Sequence, residues 1–437
     1  MSTPDLHPCH APGISRLSWA LQHRGAAIDS SETGTGKTWR ALGTCKALGS
    51  PAFVICLKGA KAAWREAAGV LGVPITVVNY EEIRCQKNQG LWIGGKKGQW
   101  AIAKDRLFIF DESHKLNGKG TWNSIYAVRA RSQGYKVLLL SATPASSPLQ
   151  LRAQGYVLGL HQGSNFFDWL TQFGMNYGYY GGFGFTPDKE RAAMQKIGDV
   201  LYNQNLSYSI GLREIVAKGF PDNNIDVRKV EAAGYEKIQS LYTDLAQVLV
   251  DLEAKTEEAV DLLTIQLRLR QNIELLKVPE LAEITKEILE NSNKSVIIFV
   301  NFRDTALSLD MALRPDKNTP HFSIILGGQT EYGRRHNLYL FNYGGSRVLI
   351  STVSAGGTSI NLHDTEGNRP RHVLMCPTYS APDMVQALGR AHRLGSKSPT
   401  QQQICFVAGT TEEYVYRRVK QKIHNISQLT NNDLLGL

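Results

Sequence analysis

The sequence predicts an α/β protein of two domains, each built on a parallel sheet. Three observations carry that prediction. Short apolar runs alternate with helix-like stretches over the first 160 residues, the same alternation returns after residue 290, and a glycine-rich turn, SETGTGKT (31–38), joins an apolar run to a helix. Alternation of this kind builds parallel sheets, because a crossover helix must carry the chain back before the next strand can run the same way.

The elements follow in order. Ala26–Ile28 reads as a short strand, and TWRALGTCKAL behind the glycine turn as a helix. AFVICL (52–57), ITVV (75–78), RLFIF (106–110) and KVLLL (136–140) read as buried strands, with GAKAAWREAAGVLG and TWNSIYAVRARSQ as helices between them. In the second half SVIIFV (295–300), FSIIL (322–326), RVLI (347–350), HVLM (372–375) and QICFVA (403–408) are the strands. RDTALSLDMAL, EYGRRHNLYLFN and APDMVQALGRAHR are the helices. No sequence repeat relates the halves.

The middle differs. From Ile238 the apolar residues Leu241, Leu245, Val248 and Leu252 step by three or four, a helical packing stripe. A second helical stretch covers 259–290, with a break at Val278–Pro279. KGFPDNN (218–224) has turn chemistry and sets a boundary near 218–226. The expected organisation is therefore 1–160, a first α/β domain; 161–290, helical insertions and the connection; and 291–437, a second α/β domain.

Of the 437 residues 42% are hydrophobic and 20% charged, and the formal charge is +10. Such a charge suits a polyanionic partner, but 39 acidic residues dilute it, and a merely basic protein fits as well. The six cysteines form no CxxC pair, which argues against a zinc site or a disulfide framework and for a reducing compartment. The N-terminus does not read as a signal peptide, and no apolar run reaches the roughly 18 residues of a membrane span.

The glycine turn carries the first chemistry. A Gly-rich loop feeding a helix N-terminus aims backbone N–H groups at a phosphate. Thr33, Gly34, Thr35, Gly36, Lys37 and Thr38 would hold a nucleotide, with Lys37 on the β- and γ-phosphates and Thr38 on Mg²⁺. Further on, FIFDESH (108–114) ends a strand in two acids. Phosphoryl transfer needs one group to hold the metal and another to orient the attacking water, roles that suit Asp111 and Glu112. LLLSATP (138–144) puts Ser141 and Thr143 at a strand's C-terminal end, where α/β sheets bind ligands, or else in a loop simply turned by Pro144. In QALGRAHR (386–393), Arg390 and Arg393 stand three apart, which on a helix places them on one face. Two guanidinium groups held together invite an anion.

These motifs, in this order across two α/β halves, resemble the superfamily 2 helicases. GGTSINLHDT (356–365) and QALGRAHRLGSKSPTQ narrow the resemblance to the Swi/Snf-type branch of DNA-dependent ATPases. It covers almost the whole chain, and VVNYEEIR (77–84) and LREIVAKGFPDNNIDVRKV add to it. The resemblance implies two RecA-like domains of the P-loop NTPase class, ATP and Mg²⁺ between them, and DNA across both. It assigns Gln386, Arg390 and Arg393 to the nucleotide, the arginines as catalytic groups beside Lys37, Asp111 and Glu112. Lys58, Lys61, Ser141, Thr143, Gly357, Ser359 and Asn361 fall to DNA or its coupling. His10, in LHPCH, stands where the branch has its adenine-reading glutamine, with Gln22 a weaker substitute, and SATP replaces TGTP.

The expected function is an ATP-dependent translocase or helicase on duplex or branched DNA, with branch migration or fork remodelling in recombination, replication or repair as the specific form. An RNA-directed helicase and a non-catalytic nucleotide-dependent DNA clamp are the alternatives. A monomeric, cytoplasmic motor of a prokaryotic or phage-infected cell is expected, neither secreted nor membrane-bound. Two stretches stand outside this scheme. FGMNYGYYGGFGF (173–185) is either a wedge that stacks on bases or a packed surface loop. LWIGGKKGQW (91–100) reads as a hairpin with a basic tip, on phosphate or in solvent.

Overall fold

A computed structural model describes residues 6, 8–85, 90–177, 183–215, 220–231, 259–314, 322–356, 360–432 and 434. The expected stripe over 238–252, Gly357, Ser359 and the centre of the aromatic stretch lie outside these residues. The chain forms two compact units, Met1–Ala217 with Gln421–Leu434, and Lys218–Lys420 with Leu435–Leu437.

The first unit holds β1 (Ala26–Asp29), β2 (Ala52–Cys56), β3 (Ile75–Asn79), the short pair β4 (Trp92–Ile93) and β5 (Gln99–Trp100), then β6 (Leu107–Asp111) and β7 (Val137–Leu140). The short β8 (Asn176–Tyr177), β9 (Phe183–Gly184) and β10 (Ser207–Tyr208) follow. Its main sheet has the order β10-β1-β7-β6-β2-β3, parallel throughout. Side chains alternate across a sheet with a period of two. Ile28, Phe53, Phe108 and Leu139 accordingly enter one core, and Ala27, Val54, Ile109 and Leu138 the other. Both faces are apolar and covered, as a parallel sheet needs.

Residues 161–215, expected in a separate middle segment, pack here as far as they are described, because β10 adds the edge strand beside β1. The basic hairpin forms as predicted: β4 and β5 pair antiparallel, with Trp92 opposite Trp100. Both indoles are buried, their rings edge-to-face at 5.0 Å, and Trp100 Nε1 donates to the Tyr126 carbonyl at 2.9 Å. β8 and β9 also pair antiparallel, so the ends of the aromatic stretch form a second hairpin.

The second unit contains β11 (Asn223–Lys229), β12 (Ser295–Val300), β13 (Ser323–Ile325), β14 (Val348–Thr352), β15 (Arg371–Met375) and β16 (Thr400–Phe406). They form a second parallel sheet, ordered β11-β16-β15-β12-β14-β13. The helices Ala259–Leu276 and Val278–Asn291 break where predicted, with Pro279 in the first turn of the second. Lys277 at the break is fully buried and pairs with Glu412 at 2.7 Å. That pair ties the start of the last helix, Thr411–Thr430, to the break; from Gln421 onward this helix belongs to the first unit.

One expected element is corrected. The helix predicted through Arg393 is Ala381–Leu388 only. Gly389 ends it, and the Arg390 carbonyl accepts from Leu362 N–H at 3.0 Å instead of continuing the helical ladder. Arg390 and Arg393 therefore sit in the turn beyond the helix, not on one helix face. No helix among the described residues is long and apolar enough to cross a membrane.

Candidate nucleotide-binding site

In the first sheet β1, β7 and β6 are neighbours and run the same way. The segments that follow them, SETGTGKT, SATP and the acids of DESH, therefore emerge together at the carboxyl edge. Ligands of α/β sheets bind along that edge.

The glycine turn has the shape its composition requires. Gly34 and Gly36 both have φ +82°, in the left-handed region that side chains avoid. A Cβ on Gly36 would also lie 2.5 Å from Cε1 of His10. Thr35 Oγ1 donates to the Glu32 carbonyl at 2.8 Å, folding the turn on itself. Lys37 and Thr38 open the helix Lys37–Leu48, so the loop feeds a helix N-terminus as predicted. Lys37 Nζ donates to the carbonyls of Ser31 at 2.7 Å and Glu32 at 3.0 Å. Burial pushes its ammonium below the ordinary lysine value, and the charges of Asp29 and Glu112 only partly offset this. A phosphate would offer a better partner than two carbonyls.

A buried pair braces the loop from beneath. Asp29 and Arg40 are both fully buried, with Arg40 Nε 2.7 Å from Asp29 Oδ2. Burial alone would raise the Asp29 pKa; the charge and hydrogen bonds of Arg40 more than offset it and hold the carboxyl below its usual range. Asp29 Oδ1 accepts from Ser31 N–H at 3.1 Å. Arg40 Nη1 lies 3.3 Å from His10 Nδ1; a guanidinium can only donate, so His10 accepts there and carries its proton on Nε2. His10 is thus buried against the phosphate loop.

The two acids close the other side. Trp64 Nε1 donates to Asp111 Oδ2 at 2.9 Å. Burial, and then the Glu112 charge, raise Asp111 to about 6. Glu112 has φ +54° and ψ +54°, a left-handed conformation strained by about 1–3 kcal/mol for a side-chain-bearing residue. Its Oε2 is 3.5 Å from His114 Nδ1, which in turn lies 3.3 Å from Ser141 Oγ. Ser141 Oγ also accepts from Thr143 N–H at 3.1 Å. Ser141 and Thr143 are both fully buried.

Lys58 is exposed after β2, while Lys61 is paired with both oxygens of Glu82 at 2.7 Å. Glu82 is itself fixed by a capping box with Asn79.

In the second unit Gln386 is buried on Ala381–Leu388. Arg393 Nη1 donates to Asn361 Oδ1, joining the two motifs that surround β15, and Arg393 N–H donates to Ser396 Oγ at 3.1 Å. Burial, and then Arg390, push the Arg393 guanidinium below the usual arginine range. Asp364 organises this corner: its carboxylate accepts from Glu366, Gly367 and Arg369 N–H groups at 3.0 Å and from Ser398 Oγ at 2.7 Å.

Sequence reasoning missed Asp29, Arg40, Trp64 and Asp364. Asp29 left a signal, an acid ending a strand before the glycine turn, and Arg40 follows Lys37 by one helical turn. Trp64 left none, since its partner lies 47 residues away.

A Gly-rich loop and paired acids at the carboxyl edge of one parallel sheet, with a second sheet of the same kind, define a two-domain RecA-like P-loop NTPase. Residues 279–395 match the helicase conserved C-terminal domain. A protein of Acanthamoeba polyphaga mimivirus named an ATP-dependent RNA helicase is 29% identical over 99% of this chain and 84% of its own length. The Caenorhabditis elegans homolog of SWI/SNF-related matrix-associated actin-dependent regulator of chromatin subfamily A-like protein 1 is 23% identical over 97% of this chain. The chain spans 62% of that protein's length. A Sulfolobus solfataricus SWI2/SNF2 ATPase core in complex with dsDNA is 16% identical over 99% of this chain and 94% of its own, with a TM-score of 0.40. These likenesses, with a helicase conserved C-terminal domain over residues 279–395, support a Swi/Snf-type superfamily 2 helicase that hydrolyses ATP.

Proposed function

We propose that the chain couples ATP hydrolysis to movement on double-stranded or branched DNA, with branch migration or fork remodelling as its task. The observation that most supports hydrolysis over mere nucleotide binding is the placement of Lys37, Asp111 and Glu112 along one sheet edge, close enough for both acids to act on the lysine's charge. Lys37 exchanges its two carbonyl partners for the β- and γ-phosphates. The glycine turn cradles those phosphates with backbone N–H groups. Glu112 orients and deprotonates the attacking water, and Arg390 and Arg393 meet the charge on the phosphoryl group in transfer.

Mg²⁺ fits the oxygen donors of Thr38 and Asp111. Two crowded carboxylates, one raised to about 6, call for a cation beside them, and Mg²⁺ takes few protein ligands because phosphate and water supply the rest. When bound it neutralises phosphate charge. His10, with its proton on Nε2, offers a donor where adenine would need reading at both an acceptor and an amino group, so base selectivity is expected to be weak.

The formal charge of +10 supports a polyanionic track. Duplex DNA is favoured by the Swi/Snf-type motifs around residues 356–365 and 386–401. RNA is the second reading, supported by the name of the mimivirus relative. Displacement of a labelled third strand from a triplex tests movement on DNA. ATP-dependent displacement from the DNA duplex is expected. Hydrolysis without displacement there, but with unwinding of an RNA duplex, would move the assignment to RNA.

A further inference from the structure

Gln154 lies where the turns behind the catalytic acids and behind SATP meet. It sits fully buried on the short helix Arg152–Leu158. Its Oε1 accepts from Ser113 Oγ at 3.1 Å. Its Nε2 donates to Asn117 Oδ1 at 2.6 Å and to the Pro144 carbonyl at 2.7 Å. Asn117 Nδ2 donates to the same carbonyl at 2.8 Å. Ser113 is the next residue after Glu112, and Pro144 the next after Thr143. One amide therefore spans both turns. The apolar neighbours Ile28, Leu151, Leu158 and Leu201 line the small cavity beside it, a setting in which an aliphatic side chain would pack without any desolvation cost.

The far side of the second turn is held as well. Asn425, buried on the last helix, donates from Nδ2 to the Ser146 carbonyl at 3.1 Å. Ser146 N–H donates to Gln150 Oε1 at 2.8 Å. The turn 144–146 is thus fixed at Pro144 by Gln154 and at Ser146 by Asn425. The conformation of Glu112 is left-handed and strained, and such a conformation persists only where its surroundings hold it.

We propose that Gln154 is a positioning residue for Glu112. It ties the turn after Thr143 to the turn after Glu112, so that a shift of one moves the other, and Asn425 fixes the outer side of that tie. The proposal rests on the reading of Glu112 as the group that activates water.

The test uses the full chain. ATP turnover is measured with and without duplex DNA for wild type, Gln154→Glu and Gln154→Met, alongside thermal melting. Glutamate keeps the shape but turns a lone pair toward the Pro144 carbonyl. Methionine keeps the volume and removes every hydrogen bond. In folded variants kcat is expected to fall roughly 10- to 100-fold, the scale of a small misplacement of a reacting group. KM for ATP should stay near wild type, because the hydrogen bonds of Gln154 go to Ser113, Asn117 and Pro144 and not to the phosphate loop. A purely structural defect would not split kcat from KM in this way. Ser113→Ala removes one hydroxyl and should give a smaller fall of the same kind; it decides the matter if neither Gln154 variant folds. Unchanged kcat in a folded variant, or a loss that appears as raised KM, overturns the role of Gln154. Wild-type turnover in Glu112→Gln would instead overturn the reading beneath it.

Discussion

At Asp111 two demands conflict. The proposed role needs a carboxylate beside a nucleotide, yet burial and the Glu112 charge raise its pKa to about 6. The folded state therefore keeps this proton up to about pH 6, whereas an unfolded aspartate releases it near pH 3.9. Between those values the unfolded chain binds fewer protons, so stability falls as pH rises. Asp111→Asn should accordingly raise the melting temperature, more at pH 8 than at pH 5, while abolishing ATP turnover. An equal shift at both pH values would show that the raised pKa does not act on stability. Asp29 behaves in the opposite sense, being held low by Arg40 once burial is offset. Asp29→Ala leaves Arg40 buried without its partner and should cost about 3–5 kcal/mol in a urea melt. Loss of less than about 1 kcal/mol would mean that the pair is dispensable. At this scale local spacing pointed to Lys37, Asp111 and Glu112, and the structure sets the segments that carry them along one sheet edge. The sequence was silent on Trp64 and Gln154, whose partners the fold brings from 47 and 41 residues away.

Among the elements, continuous apolar runs were read correctly because burial on both faces leaves little room for polar residues. β10 and β11 were not. The first has two residues, and the second, NNIDVRK, is a polar edge strand whose side chains are mostly part-exposed. The helix ahead of Arg390 is shorter than its pattern suggests, because Gly389 ends it. The basic hairpin was legible, and the structure adds its location. Trp100 packs on Phe53 and Phe108, near the starts of β2 and β6, at the edge away from Asp111. The base of the hairpin is therefore at the edge away from the candidate site. Lys96→Ala and Lys97→Ala together should leave duplex-stimulated turnover unchanged; a clear loss would put the hairpin on the nucleic-acid path. Trp100→Ala removes a buried indole and should cost about 3–5 kcal/mol in the same melts.

For the whole molecule, the two sheets were foreshadowed by the repeating grammar of strands and helices. What the sequence hid is that the described residues of 161–215 and the end of the last helix, from Gln421, pack into the first unit. Their contacts span most of the chain, as in the bond from Asn432 Nδ2 to the Ser30 carbonyl at 3.2 Å, 402 residues apart. The central claim is that ATP hydrolysis by the Lys37 site depends on nucleic acid and on the arginines of the second unit. Arg393→Ala should lower turnover about 10³-fold or more, the usual contribution of an arginine at a transferring phosphoryl group, while nucleic-acid binding persists. The most direct measurement is steady-state ATP turnover of the full chain with duplex DNA, four-way-junction DNA, single-stranded DNA and double-stranded RNA, for wild type and Arg393→Ala. We predict strong stimulation by duplex or junction DNA that Arg393→Ala abolishes. Turnover indifferent to every nucleic acid, or unaffected by loss of Arg393, would contradict the account.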